Sequence, residues 1–124
     1  MACILKLKDL TKSFGALVVS EDLSFALDEG KALGVIRPNG AGKTTMFNLV
    51  TGTLRADGGD IEFAGQNING LSPSARARAG IARSFQVPQP FSGMSVFENT
   101  LVAATTAAGM DVDAANRHCL DVLD

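Results

Sequence analysis

Residues 33–50 read LGVIRPNGAGKTTMFNLV, an apolar run, a glycine-bearing turn and a helix-forming stretch in direct succession. This order constrains the chain more than any other feature. A short apolar run of the kind buried on both faces of a sheet (KALGVI, residues 31–36) leads into a turn, and a helix opens at Thr44. Strand, turn and helix in that order aim backbone N–H groups and the positive helix end at one point, which suits an anion. Gly40 and Gly42 let the main chain between Asn39 and Thr45, Ala41 included, approach phosphate oxygens without a Cβ in the way. Lys43 reaches the outer phosphates, the Thr44 hydroxyl suits Mg²⁺, and Thr45 offers a second hydroxyl toward the α-phosphate. The residues therefore point to a magnesium–nucleotide complex.

One position departs from the G-x-x-x-x-G-K-[ST] pattern, because Arg37 stands where the first glycine belongs. Backbone angles open to glycine there cost another residue on the order of 1–3 kcal/mol. The guanidinium can itself reach phosphate and offset part of that cost. Weakened, not abolished, binding is the expectation.

Around the loop, CILKLKDL (residues 3–10) reads as a half-exposed strand, TKSFGA as a loop, and LVVS and LSFALDEG as two further strands closing in a turn at Asp28-Glu29-Gly30. TTMFNLVTG is a helix that Gly52 ends. GGDIEFAGQNING is a strand with glycine turns at both sides. Ser72 and Pro73 start a helix that Gly80 stops. GIARSFQ is a strand reaching Gln86, and Pro88 and Pro90 stiffen the loop after it. Ser95 and Glu98 form a capping box before a helix over VFENTLVAATTAA. A last helix, DAANRHCLDVLD, runs to Asp124, which suggests a fragment of something longer.

With 124 residues the chain fits one small domain, and 46% hydrophobic against 19% charged residues excludes disorder as the default. A net charge of −2 with Lys6, Lys8, Arg76, Arg78 and Arg83 scattered over a solvated surface argues against nucleic acid as a partner. Cys3 and Cys119 lack metal or redox spacing and read as buried or half-buried free thiols of a reducing compartment. No apolar run approaches the ~20 residues that cross a bilayer, so a cytoplasmic location is expected, with membrane association only through a partner.

Three stretches, LTKSFGALVVSEDLSF, PNGAGKTTMFNLVTG and GIARSFQVPQPFSGMSVFENTLVAA, together resemble the N-terminal half of an ABC transporter ATP-binding subunit of the branched-chain amino acid importer type. The last stretch is the most family-specific. The resemblance implies an α/β fold of the P-loop NTPase kind: a partial RecA-like core, an N-terminal antiparallel β-subdomain and the start of a helical subdomain, all of residues 1–124 forming one partial nucleotide-binding domain. It also makes Phe14 the aromatic that stacks on adenine, with core packing as the plainer alternative, and Val19 a small apolar contact to the nucleotide, again with core packing as the alternative. Gln86 becomes the glutamine that ligates Mg²⁺, orients water and opens the segment coupling nucleotide state to the permease. Phe91, Met94, Val96 and Phe97 fall where the permease docks.

The family's partners are transmembrane permease subunits and a second ATP-binding subunit in a head-to-tail dimer, on the inner face of the membrane. Leu-Ser-Gly-Gly, the Walker B aspartate with its catalytic glutamate, and the switch histidine do not occur in these residues. His118 falls in the terminal helix, out of place for that switch, and reads as an exposed helix residue. No catalytic residue is assigned, beyond Gln86 orienting water. ATP binding with negligible turnover is expected, and a non-catalytic truncated or decayed domain that only docks on a partner is the alternative. A guanine-specifying motif is missing too, which disfavours a GTPase.

Overall fold

The computed structural model describes residues 2–36, 43–85 and 87–124, the side chains of 18–21 excepted. Two compact units divide the chain, Met1–Pro73 and Ser74–Asp124.

The first unit is built on an antiparallel sheet in the order β2-β1-β3-β4, with β1 at Cys3–Phe14, β2 at Leu17–Asp28, β3 at Gly58–Phe63 and β4 at Gln66–Asn67. Alternation along β1 exposes Lys6 and Lys8 and buries Leu7. Leu10 is also fully buried, three residues on, because Asp9 takes a left-handed φ of 51° and bulges the strand. Ser24 Oγ satisfies the bulge by accepting from the Asp9 N–H at 2.8 Å. Opposite the bulge stands Gly59 with φ 87°, where an added Cβ would overlap the Asp9 carbonyl carbon and the Leu10 Cα. Only glycine lets β3 pass so close.

Both hairpins are tighter than the sequence suggests. TKSFGA is not a loop: β1 runs through it to Phe14, which pairs with Leu17 across a two-residue Gly15-Ala16 turn. LVVS and LSFALD form one strand, because the bulge at Asp22 (φ 49°) bends β2 without breaking the ladder. GGDIEFAGQN, read as a single strand, folds into a β3–β4 hairpin at Ala64-Gly65, whose φ values of 50° and 80° match a right-twisted two-residue turn. Beyond β4, Asn69 accepts the Ile61 N–H at 2.8 Å and donates to the Gly59 carbonyl at 2.9 Å. One amide thus does for the β3 edge what a further strand would.

Helix α1 spans Lys43–Thr51 and buries Met46, Leu49 and Val50, its first turn carrying no acidic residue. It lies against β2. Gly52, at φ 88°, ends it as expected. With Leu7, Leu10, Ile61 and Ile68 these side chains form the buried set of the first unit, each fully buried aliphatic contributing about 1.5–3 kcal/mol.

Two expected strands take no ladder partner. Residues 31–36 are irregular and open, Leu33 47% and Ile36 96% exposed, and 81–85 are irregular as well. A strand apolar on both faces needs neighbours on each side, and among the described residues none pairs with either segment.

Helix α2, which opens the second unit from Pro73 at the boundary, covers Pro73–Ala79 and stops at Gly80, as read from the sequence. Arg76 departs from the solvated surface expected of it: it is buried, and desolvation lowers its pKa from the usual arginine value. Helix α3 spans Val96–Val102, followed by a π-helical turn over Ala103–Ala107, and α4 spans Val112–Leu123. The capping box is complete. Ser95 Oγ accepts the Glu98 N–H and Glu98 Oε1 accepts the Ser95 N–H, each at 3.1 Å. Asp111 caps α4 through the Ala114 N–H at 2.8 Å, so the helix opens at Val112, one residue ahead of the start expected at Asp113. Ala104, Ala115 and Cys119 form the small core, covered by Phe97, Leu101 and Met110. Cys119 is buried as anticipated and Cys3 is not; its strand end is exposed. His118 is exposed on α4.

Candidate nucleotide-binding site

Lys43, Thr44 and Thr45 stand together in the first turn of α1. Lys43 and Thr45 are half-buried and Thr44 is exposed, so one hydroxyl faces solvent at the helix end where free N–H groups concentrate positive potential. With no carboxylate in that turn, nothing there repels an anion. The amide-bearing stretch Asn39, Gly40, Ala41 and Gly42, the Arg37 substitution, and Gln86 lie outside the described residues, as does the Val19 side chain.

Phe14 closes β1 at the tip of the first hairpin and is 48% exposed. The core-packing alternative does not describe it. Its surroundings are polar: Lys12, two residues back on the same face of the strand, places its ammonium 5.2 Å from the ring centroid. Asp57, just before β3, braces the same tip. Asp57 Oδ2 accepts the Ser13 N–H at 2.7 Å and the Ser13 hydroxyl at 3.2 Å, while Oδ1 lies 3.5 Å from the Lys12 Nζ. The Asp57 N–H in turn donates to the Thr11 carbonyl at 2.8 Å. The Ser13 backbone N–H, aided by the Lys12 charge, holds the Asp57 carboxyl below the ordinary aspartate range.

Neither Lys12 nor Asp57 was singled out from the sequence. Lys12 could have been, since a cation two residues from an aromatic on a strand is a readable pair. Asp57 could not, because 44 residues separate it from Ser13.

In the second unit, Phe91 and Met94 are exposed on the loop before α3, 57% and 40% respectively, and Val96 is 72% exposed. Asn99 fastens that loop from inside the helix: its Oδ1 accepts the Phe91 N–H at 2.8 Å and its Nδ2 donates to the Phe91 and Ser95 carbonyls at 3.2 and 2.9 Å. Phe97 does not join this apolar surface. It turns inward onto the Ala104–Cys119 core, a correction to the sequence reading. Arg83 stacks 4.6 Å from the Phe85 ring centroid, a residue short of Gln86.

A helix opening at Lys43-Thr44 and an antiparallel sheet ending in an exposed aromatic are the parts of an ATP-binding cassette. The family model described as ABC transporter matches residues 20–123, and the chain belongs to that family. Among individual proteins, it is 42% identical over 100 residues to a probable branched-chain amino acid transport ATP-binding protein LivG of Archaeoglobus fulgidus, covering 81% of this chain and 39% of that one. It is 41% identical over 100 residues to the high-affinity branched-chain amino acid transport ATP-binding protein BraF of Pseudomonas aeruginosa, with the same coverage. A crystal structure of the ADP conformation of an ATP-binding cassette of an ABC transporter superposes with a TM-score of 0.76 at 32% identity, over 95% of this chain and 46% of that one. The α/β fold of a partial P-loop NTPase follows. The chain thus spans about two fifths of the length of the curated relatives it matches.

Proposed function

We propose that the chain is the ATP-binding portion of the energy-coupling subunit of an ABC importer for branched-chain amino acids or related amides, its 124 residues forming one partial nucleotide-binding domain. One observation carries the reading: Lys43 and Thr44 open an acid-free helix in a chain whose relatives are named as amino acid transport ATP-binding proteins. The polyphosphate is held by Lys43, by Thr45 and by the backbone of Asn39, Gly40, Ala41 and Gly42. Phe14 offers its exposed ring to adenine and Val19 a small apolar contact. Thr44 and Gln86 supply the neutral oxygens that suit Mg²⁺. The metal, when bound, neutralises charge on the outer phosphates.

Turnover is a separate matter. Hydrolysis needs a group that polarises water beside the held triphosphate, and neither the Walker B carboxylates nor the signature sequence occurs in these residues. The chain therefore binds without measurable hydrolysis. Its partners in this reading are permease subunits, met through Phe91, Met94 and Val96, and a second ATP-binding subunit placed head-to-tail. Among the described residues no helix is long and apolar enough to cross a membrane, and in this reading the chain sits peripherally on the cytoplasmic face, held there by the permease subunits.

A ligand that binds only the folded state raises its stability, by about 2.7 kcal/mol at a hundredfold excess over Kd. Mg-ATP should raise the thermal midpoint of the chain, and Lys43→Ala should abolish the rise. An unchanged midpoint in the parent chain would remove the proposal. So would a rise that Lys43→Ala leaves intact.

A further inference from the structure

The brace at Asp57 does more than the hairpin needs. Ser13 and Lys12 already belong to a paired strand, with Ser13 opposite Val18 and Lys12 opposite Ser20. Yet both converge on one carboxylate just ahead of β3, and both stand within two residues of Phe14. The ring cannot hold its own position. It projects from the last residue before a two-residue turn, a residue that is 48% exposed, and has no polar atom to anchor it. Hairpin ends open locally at small cost when nothing ties them down.

We infer that Asp57 is a positioning residue, whose carboxylate fixes the end of β1 through Ser13 and Lys12 so that the Phe14 ring stands as a preset platform for a purine base. This rests on the nucleotide-binding reading above and adds to it the group that sets the aromatic in place. Asp57 Oδ2 holds the backbone one residue before the ring, at 2.7 Å from the Ser13 nitrogen. Asp57 Oδ1 draws in Lys12, whose ammonium sits 5.2 Å from the ring centroid and is attracted to the π-face. The carboxylate thus restrains Phe14 along the backbone and through the cation. A ring held this way loses little conformational freedom when a base stacks on it, and that is how preorganisation adds affinity.

A brace that served the hairpin alone would weaken every ligand alike when removed. A brace that serves the ring acts only on the part of the affinity that the base supplies. Calorimetric titrations of the 124-residue chain with Mg-ATP and with Mg-tripolyphosphate separate the two. The parent should bind ATP more tightly than tripolyphosphate. Phe14→Ala should remove an ATP advantage of about 5- to 150-fold, the range of one base–aromatic stack. Asp57→Ala should cost about 3- to 10-fold for ATP, a part of that stack, leave tripolyphosphate unchanged, and add nothing in the Phe14→Ala background. Asp57→Asn keeps an acceptor for the Ser13 N–H and loses the charge that holds Lys12, so it carries the same test if Asp57→Ala fails to fold.

Equal losses for both ligands, or additivity with Phe14→Ala, overturn the inference and leave nucleotide binding standing. A parent that binds tripolyphosphate with no gain from the base overturns the role of Phe14 and the inference together. If the parent binds neither ligand, the nucleotide reading itself falls.

Discussion

At Asp57 the Ser13 backbone N–H lowers the carboxyl pKa most, and at Glu98 the Ser95 backbone N–H does the same. Both acids are thus easier to ionise in the folded chain than in the unfolded one. A carboxylate with a depressed folded pKa stabilises the fold fully above its unfolded value, and the contribution fades as pH falls through the folded value. Acid should therefore loosen both units progressively below about pH 5, where free carboxylates begin to protonate. Urea midpoints compared at neutral and acid pH check this: Asp57→Asn should flatten the pH dependence of the first unit, and an unaltered slope would discount the Ser13 bond. Both groups are open to solvent, so each effect is modest. What could be read at this scale depended on distance along the chain. Ser95 and Glu98 are three residues apart and announce a capping box, whereas Asp57 and Ser13 meet only because β3 pairs with β1.

Helices were the readable elements. α1 ends at Gly52, α2 begins at Pro73 and stops before Gly80, and α3 starts behind Ser95, each at a residue whose chemistry is local. Replacing Ser95 by alanine removes the acceptor for the Glu98 N–H and should cost about 0.5–2 kcal/mol, seen as a lower urea midpoint for the helical signal. A midpoint equal to the parent's would show the box to be decorative. Strands were less legible. The bulges at Asp9 and Asp22 reset the alternation, and the Ala64-Gly65 turn splits one apparent strand into two, with an alanine held at φ 50° that its side chain alone would not advertise. The π-helical turn at Ala103–Ala107 continues directly from the seven residues of α3 with no Gly or Pro between them to mark it. Residues 31–36 have the pattern of a buried strand and lie open, since a pattern states which faces want burial and not whether a neighbour is there to bury them.

Across the molecule, each unit leaves large apolar side chains in solvent: Leu33 and Ile36 in the first, Phe85, Val87 and Phe91 in the second. Exposed apolar surface of this kind drives association. Sedimentation should show the chain self-associating with rising concentration, and paired Leu33→Lys and Ile36→Lys substitutions should lessen it; a parent monomeric throughout would contradict this. The sequence alone determined the family, the Ser95–Glu98 capping box and the glycine stops of α1 and α2, because each is written in residues within a turn or two of one another. Tertiary structure decided that Phe14 faces solvent and Phe97 the core, that β2 is one strand, and that Asp57 braces the hairpin tip. Those outcomes depend on which distant segments pair, and pairing is set by bulges, turns and available neighbours that no single stretch of chain contains.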